Sequence, residues 1–285
     1  WSWYLKEKKG LSAAPKLLGE PNTEALFVLD HWGFEKPGII NSINKGDSVI
    51  IVDTNNPAEL PEGINDADIQ GIIDHHKLVG GLETSGPIDI TIRPVACTAT
   101  IMFDLMGDDV SDMPDPIKGL ALSCIISDTL EFRSPTTTRR DREVAERLAK
   151  DLKIDVSDYA SKLFRAKSDV SDFSDAQLLR MDSKKYPIAD LMFRVSVLET
   201  TEPDMIFRRK SSLIEAMETV CAEDSVDHVL FFVVDILKEE STLFVPNKNV
   251  KKVAEKSFGV SVSDDSVLLP GVVSRKKQII PNLKL

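Results

Sequence analysis

Asp74, His75 and His76 stand side by side at the end of an apolar run, in the stretch GIIDHHKLVGG spanning positions 71 to 81. The chain has only four histidines, and two of them sit here, directly after an acid. Imidazole nitrogens and carboxylate oxygens are the ordinary ligands of divalent metals, so the tripeptide predicts a metal site rather than a merely polar loop. Asp53 closes the β-branched run DSVIIVD, and Asp128 lies at the far end of DPIKGLALSCIISDT. An aspartate at a helix C-terminus opposes the macrodipole, and either solvent or a bound cation must compensate it. The other two histidines read as structural, His31 within a helical segment and His228 at the opening of a strand. A second signal is SRKKQ at 274 to 278, three successive cations between two apolar stretches of what otherwise reads as strand. It is either a solvated turn or an oxyanion clamp, since Arg offers a planar fork and Lys a compact charge. Lys184 and Lys185 in MDSKKYP are a weaker signal of the same kind.

The elements around these residues follow from pattern. PNTEALFVLDHWG predicts a helix capped by Asn22 and stopped at Gly33, and CTATIMFDLMG predicts another. DPIKGLALSCIISDT predicts a helix with Asp115 as its cap and Pro116 at the first helical position. DSVIIVD and IQGIIDHH read as strands. Strands alternating with helices predict a parallel sheet covered on both faces, and ligands gather at the carboxyl ends of such strands. Asp53 and His75 both sit at such an end, which joins them into one candidate site. SPTTTRRDREVAERLAKDLKI reads as a cap followed by a charged amphipathic helix. The Ser/Asp-rich AKSDVSDFSD then predicts an interdomain linker, giving a metal-binding domain over 1–167, a linker over 168–175 and a second, smaller α/β domain over 176–285. In that second domain FRVSVLET, HVLFFVVDIL and STLFVP read as strands, and SLIEAMETVCAED and KNVKKVAEKSFG as helices.

Composition bounds the function classes. The 285 residues, 42% hydrophobic and 28% charged, suit two globular domains, and no apolar run reaches the ~18 residues a membrane span needs. A net charge of −11 argues against non-specific nucleic-acid binding but not against an anionic substrate, because a bound metal or a local basic patch reverses the field at one site. Cys97, Cys124 and Cys221 are widely spaced and read as reduced structural thiols of a cytoplasmic protein. The opening WSWYLKEKKGL lacks an initiator methionine, and Trp1, Trp3 and Leu5 read as the middle of an amphipathic helix, so a further segment is expected upstream.

Taken in order and spacing, VDTNN, GIIDHHK, LSCIISDT, SPTTT, MDSKKY and GVVSRKKQIIP resemble the manganese-dependent family II inorganic pyrophosphatases of the DHH phosphoesterase superfamily, from about position 18 to the C-terminus. The resemblance implies a larger N-terminal parallel-sheet domain, a smaller mixed-sheet C-terminal domain and an active site in the cleft between them. It implies hydrolysis of pyrophosphate to two phosphates by a water activated between two metal ions, Mn²⁺ or Co²⁺, with Mg²⁺ on the substrate, in a cytoplasmic homodimer. Residue by residue, Asp53 would bridge the ions, and His75 and Asp128 would complete the sphere of one. Asp74 would orient an imidazole, and His76 would face the substrate. Lys184, Arg275 and Lys276 would bind phosphate oxygens, assisted by the Ser274 hydroxyl, with His76, Lys184 and Arg275 serving catalysis. The family's N-terminal His-x-x-x-Asp-x-Asp motif has no counterpart here, and Thr54 stands where the family often has His. Two alternatives stand beside this reading. One is a sibling phosphoesterase, above all an exopolyphosphatase. The other is a degenerate phosphate-binding protein lacking one metal position.

Overall fold

The structure, a computed structural model, describes residues 1–285. The chain forms two compact units, Trp1–Ala166 and Lys167–Leu285. No helix is long and apolar enough to cross a membrane.

The first unit opens with α1 (Ser2–Lys9) and α2 (Thr23–His31). Asn22 caps α2 by accepting from the Ala25 N–H at 2.8 Å, so the cap predicted from sequence is the cap observed. Three strands follow, β1 (Ser48–Val52), β2 (Asp68–Asp74) and β3 (Asp89–Ile92). They form a parallel sheet in the order β1-β2-β3, with Val52 paired to Ile73 and Asp74 to Ile92. The expectation of a sheet covered on both faces needs correction. The central strand is largely buried, but Val52 and Ile90 on its neighbours are 41% and 55% exposed.

The helices α3 (Thr98–Met106), α4 (Asp115–Thr129), α5 (Arg139–Leu152) and α6 (Val156–Lys167) complete the unit. Asp115 does not cap α4. Pro114 holds that position and Asp115 is the first helical residue, where its charge still favours the helix N-terminus. Gly119 on α4 permits close approach, because a Cβ there would fall 2.1 Å from the Trp32 ring. That ring donates from Nε1 to the Tyr159 hydroxyl at 2.8 Å, which joins the end of α2 to α6. Val144, Ala145, Leu148 and Ala149 form the buried stripe of α5, the pattern of an amphipathic helix against a core.

Asp141 deserves its place at the start of α5. The residue is fully buried and closes a capping box, accepting from the Thr138 N–H at 2.9 Å and the Thr138 hydroxyl at 2.6 Å. It also accepts from the Ala96 N–H at 3.0 Å and the Thr100 hydroxyl at 2.7 Å, so it anchors the turn between β3 and α3.

The second unit begins with the segment 168–174, which Arg209 holds by donating to the Val170 and Phe173 carbonyls. Its elements are α7 (Asp175–Arg180), β4 (Ser183–Ile188), β5 (Leu191–Thr200), α8 (Pro203–Phe207), α9 (Lys210–Asp224), β6 (His228–Asp235), β7 (Glu240–Phe244), α10 (Lys248–Phe258) and β8 (Ser266–Pro270). The sheet order is β4-β5-β6-β7-β8, with β5 and β6 parallel and every other pair antiparallel. The central strand β6 is almost wholly apolar and buried. One of its faces packs with Val250 and Val253 of α10, the other with Leu213 and Met217 of α9.

The strand pattern read through SRKKQ is not what forms. β8 stops at Pro270, and Arg275–Ile279 is a single π-helical turn. The turn satisfies its own backbone, since Gln278 Oε1 accepts from the Val273 and Ser274 N–H groups and Ser274 Oγ accepts from the Lys277 N–H. MDSKKYP, unassigned from pattern, supplies the edge strand β4.

Asp141 yields a stability prediction. Burial alone would raise its carboxyl pKa. The hydrogen bonds from Thr138, Thr100 and Ala96 outweigh burial and hold it below the usual carboxylate range. A depressed native pKa contributes stability that is present above the unfolded value of about 4 and is lost as pH falls through the native value. Asp141→Asn is expected to cost about 2–4 kcal/mol at neutral pH, because a buried amide then faces four donors. In urea unfolding the gap to the parent protein should narrow as pH drops from 7 toward 3. A constant gap would contradict the assignment.

Candidate metal centre

β1 and β2 end side by side, and their terminal residues converge. Asp53 follows β1 directly, with a positive φ of 65° and its N–H donating to the Ile73 carbonyl at 2.9 Å. Non-glycine residues seldom adopt this left-handed conformation, and aspartate is among the more tolerant. The turn after it is pinned by side chains. Thr54 donates from its hydroxyl to Glu59 at 2.7 Å, and Asn56 donates to the same carboxylate at 3.1 Å. The Thr98 hydroxyl, at the start of α3, donates to Asp53 Oδ1 at 2.7 Å.

Asp74 is fully buried beneath the two histidines. Its Oδ1 accepts from the His75 N–H at 2.7 Å, the His76 N–H at 3.1 Å and His76 Nδ1 at 2.8 Å. Its Oδ2 accepts from Asn55 Nδ2 at 2.6 Å. Burial opposes the charge on Asp74, but these donors outweigh it and keep the carboxyl below its ordinary range. The same hydrogen bond raises the His76 pKa above its ordinary value. His75 takes its orientation from elsewhere. Its Nδ1 lies 3.1 Å from the Val95 carbonyl, which can only accept, so Nδ1 carries the proton and Nε2 keeps its lone pair.

That lone pair points into the site. His75 Nε2 is 3.6 Å from Asp53 Oδ1, the two imidazole centroids are 4.1 Å apart, and ligand atoms of Asp53, His75 and His76 all fall within 4.8 Å of one another. One carboxylate and two imidazoles at this spacing form a mixed oxygen and nitrogen donor set of the kind that holds first-row divalent ions such as Mn²⁺ or Co²⁺. The cluster differs in one member from the expected set. His76, expected to face substrate, is among the three, while Asp128 is not. Asp128 sits in the last turn of α4, where its negative charge reaches the Cys97 thiol. Burial and then neighbouring negative groups push that thiol well up, so it stays protonated. The charges of Asp128 and Asp53 both reach the Cys124 thiol on α4.

The remaining site residues lie in the second unit. Lys184 is exposed on β4, and Lys276 is exposed in the π-helical turn. Arg275 is mostly buried and pairs with Asp182 at 2.8 Å. Lys185 donates to the carbonyl of Asp224. His31 is exposed on α2 and stacks on Phe27. His228 packs on Phe193 and lies 2.8 Å from Asn249, and burial lowers its pKa.

Three supporting residues escaped sequence reasoning. Asn55 bridges Asp74 to the Lys77 carbonyl and the Val79 N–H, Thr98 holds Asp53, and Asp141 anchors the turn that presents Val95 to His75. The one available signal was the Thr-x-x-Asp capping box at Thr138 and Asp141.

A parallel-sheet unit with this aspartate–histidine cluster, followed by a five-stranded mixed-sheet unit, defines a DHH-type protein with an appended DHHA2 domain. The DHH family N-terminal domain matches residues 5–127, and the DHHA2 domain matches residues 161–285. A relative from Deinococcus radiodurans, named as a manganese-dependent inorganic pyrophosphatase, is 39% identical, with 98% of this chain and 90% of the relative aligned. One of the same name from Lactobacillus acidophilus is 34% identical over the same shares. The crystal structure of a Methanococcus jannaschii protein assigned to the family II inorganic pyrophosphatases superposes with a TM-score of 0.59 at 33% identity, covering 95% of this chain and 89% of that one. The chain belongs to the family II, manganese-dependent inorganic pyrophosphatases.

Loss of a single imidazole tests the site. His75→Ala is expected to weaken Mn²⁺ or Co²⁺ binding by at least about tenfold in a calorimetric titration, the scale of a lost ligand or its orienting partner. His31→Ala and His228→Ala should leave the affinity unchanged. Equal affinities in all three variants would rule out the assignment.

Proposed function

We propose that the protein hydrolyses inorganic pyrophosphate to two phosphates with Mn²⁺ or Co²⁺ as its metal and Mg²⁺ accompanying the substrate. The observation that carries this reading is the cluster of Asp53, His75 and His76 around the buried Asp74, in a chain whose relatives bear that activity in their names. Asp53, His75 and Asp128 are the proposed metal ligands. A divalent ion held there supplies Lewis acidity toward water and a phosphoryl oxygen.

The chain's own groups do the remaining work. Asp74 holds His76 by its Nδ1 and raises the basicity of the ring, which leaves Nε2 to face a phosphoryl oxygen. Lys184, Arg275 and Lys276 neutralise charge on the phosphate oxygens, with the Ser274 hydroxyl donating beside them. The left-handed Asp53 is clamped by Thr98 through Oδ1, so its second carboxylate oxygen would be available to a bound ion.

The proposed setting is a cytoplasmic homodimer acting on a small anion, with neither nucleic acid nor a membrane surface as partner. The net charge of −11 opposes polyanion binding, and the three unpaired thiols accord with a reducing compartment.

A phosphate-release assay with Mn²⁺ tests the substrate. Pyrophosphate should be cleaved much faster than linear polyphosphate or dinucleotides. Preference for polyphosphate would favour the exopolyphosphatase alternative, and phosphate binding without turnover would favour a degenerate protein.

A further inference from the structure

Arg275 opens the π-helical turn, and its side chain is only 11% exposed. A single residue grips the guanidinium twice. Nη2 stands 2.8 Å from Oδ1 of Asp182, and Nη1 donates to the Asp182 carbonyl. Nε is buried without a hydrogen-bond partner. The grip is specific to Asp182, because its backbone is left-handed, with φ 37°, and its carbonyl also accepts from the Val197 N–H of β5 at 3.3 Å. The sheet thus fixes where Asp182 sits. Asp182 in turn directly precedes β4, two residues before Lys184.

We propose that Asp182 is a positioning residue that ties Arg275 to the start of β4, holding the guanidinium and the Lys184 ammonium at one fixed spacing for phosphate oxygens. This rests on the reading of Arg275 and Lys184 as phosphate ligands. The physical case is preorganisation. A free arginine side chain loses substantial rotamer entropy when it binds, whereas a fork already clamped loses little. A largely buried guanidinium without a counter-charge is also costly, and the carboxylate removes that cost before substrate arrives. Two N–H groups are consumed by Asp182, and a guanidinium has five, so donors remain for a planar, directional contact with phosphate. In the pair Arg275 and Asp182 are neutral together, so long-range attraction for the anion falls to Lys184 and Lys276, and Arg275 contributes direction.

The experiment is a calorimetric titration of the full-length protein with imidodiphosphate, a non-hydrolysable pyrophosphate analogue, with melting curves recorded in parallel. Asp182→Asn keeps the left-handed backbone, which asparagine tolerates, and removes the charge. It should weaken binding roughly tenfold, the scale of losing a charge-assisted hydrogen bond. Arg275→Ala should weaken it at least as much, and the double variant Asp182→Asn/Arg275→Ala should match Arg275→Ala alone, because Asp182 acts only through Arg275. Arg275→Lys, which keeps the charge but loses the fork, gives an independent arm and should also bind more weakly. If Arg275→Ala binds like the parent, the phosphate-ligand reading itself fails. If Arg275→Ala weakens binding while Asp182→Asn leaves it unchanged or tightens it, Asp182 is a bystander or a competitor and the proposal is overturned. Additive losses in the double variant, or parent-like binding by Arg275→Lys, would overturn it too.

Discussion

A carboxylate with no exposure to solvent, Asp74, sets the geometry on which the candidate metal centre depends. Burying an unpaired charge is prohibitive, so its two oxygens must be saturated with donors. The donors available at the end of β2 are the backbone N–H groups of His75 and His76, the His76 ring and the Asn55 amide. Satisfying Asp74 therefore turns the chain sharply after the strand and fixes one imidazole by its Nδ1. Of these donors only the His76 ring and the Asn55 amide depend on side-chain type.

The second imidazole is fixed by a longer chain of causes. Asp141, also fully buried, draws in the Ala96 N–H and the Thr100 hydroxyl. That anchors the turn before α3, which presents the Val95 carbonyl to His75 Nδ1 and, one turn of chain later, the Thr98 hydroxyl to Asp53. Two buried aspartates thus orient the Asp53, His75 and His76 cluster, one from below and one from α5. Neither belongs to the cluster itself, yet both fix the direction of its side chains through hydrogen bonds.

Much of this was legible in the sequence, and the reasons differ by element. Asn22, the capped amphipathic helix of SPTTTRRDREVAERLAKDLKI and the strands DSVIIVD and IQGIIDHH follow from local propensity and period, which act over a few residues. The pairing of Asp53 with His75 was legible because parallel strands bring their carboxyl ends together. Asn55, Thr98 and Asp141 were not, because each acts across 19 to 45 positions through hydrogen bonds that no local pattern encodes. The π-helical turn at Arg275–Ile279 misled for a related reason. Val272, Val273, Ile279 and Ile280 carry strand-like side chains, but Ser274 and Gln278 satisfy the backbone internally and remove the need for a ladder partner. Roles in phosphate binding came from family resemblance and not from any spacing rule.

The central claim is that His75, oriented by Val95, presents its Nε2 to the metal. Pulsed electron paramagnetic resonance of the Mn²⁺-loaded protein reads this directly, because a coordinated imidazole nitrogen modulates the electron spin echo. The account predicts nitrogen modulation from a histidine ligand in the parent protein and its loss in His75→Ala. A Mn²⁺ spectrum showing only oxygen ligands in the parent protein would contradict it.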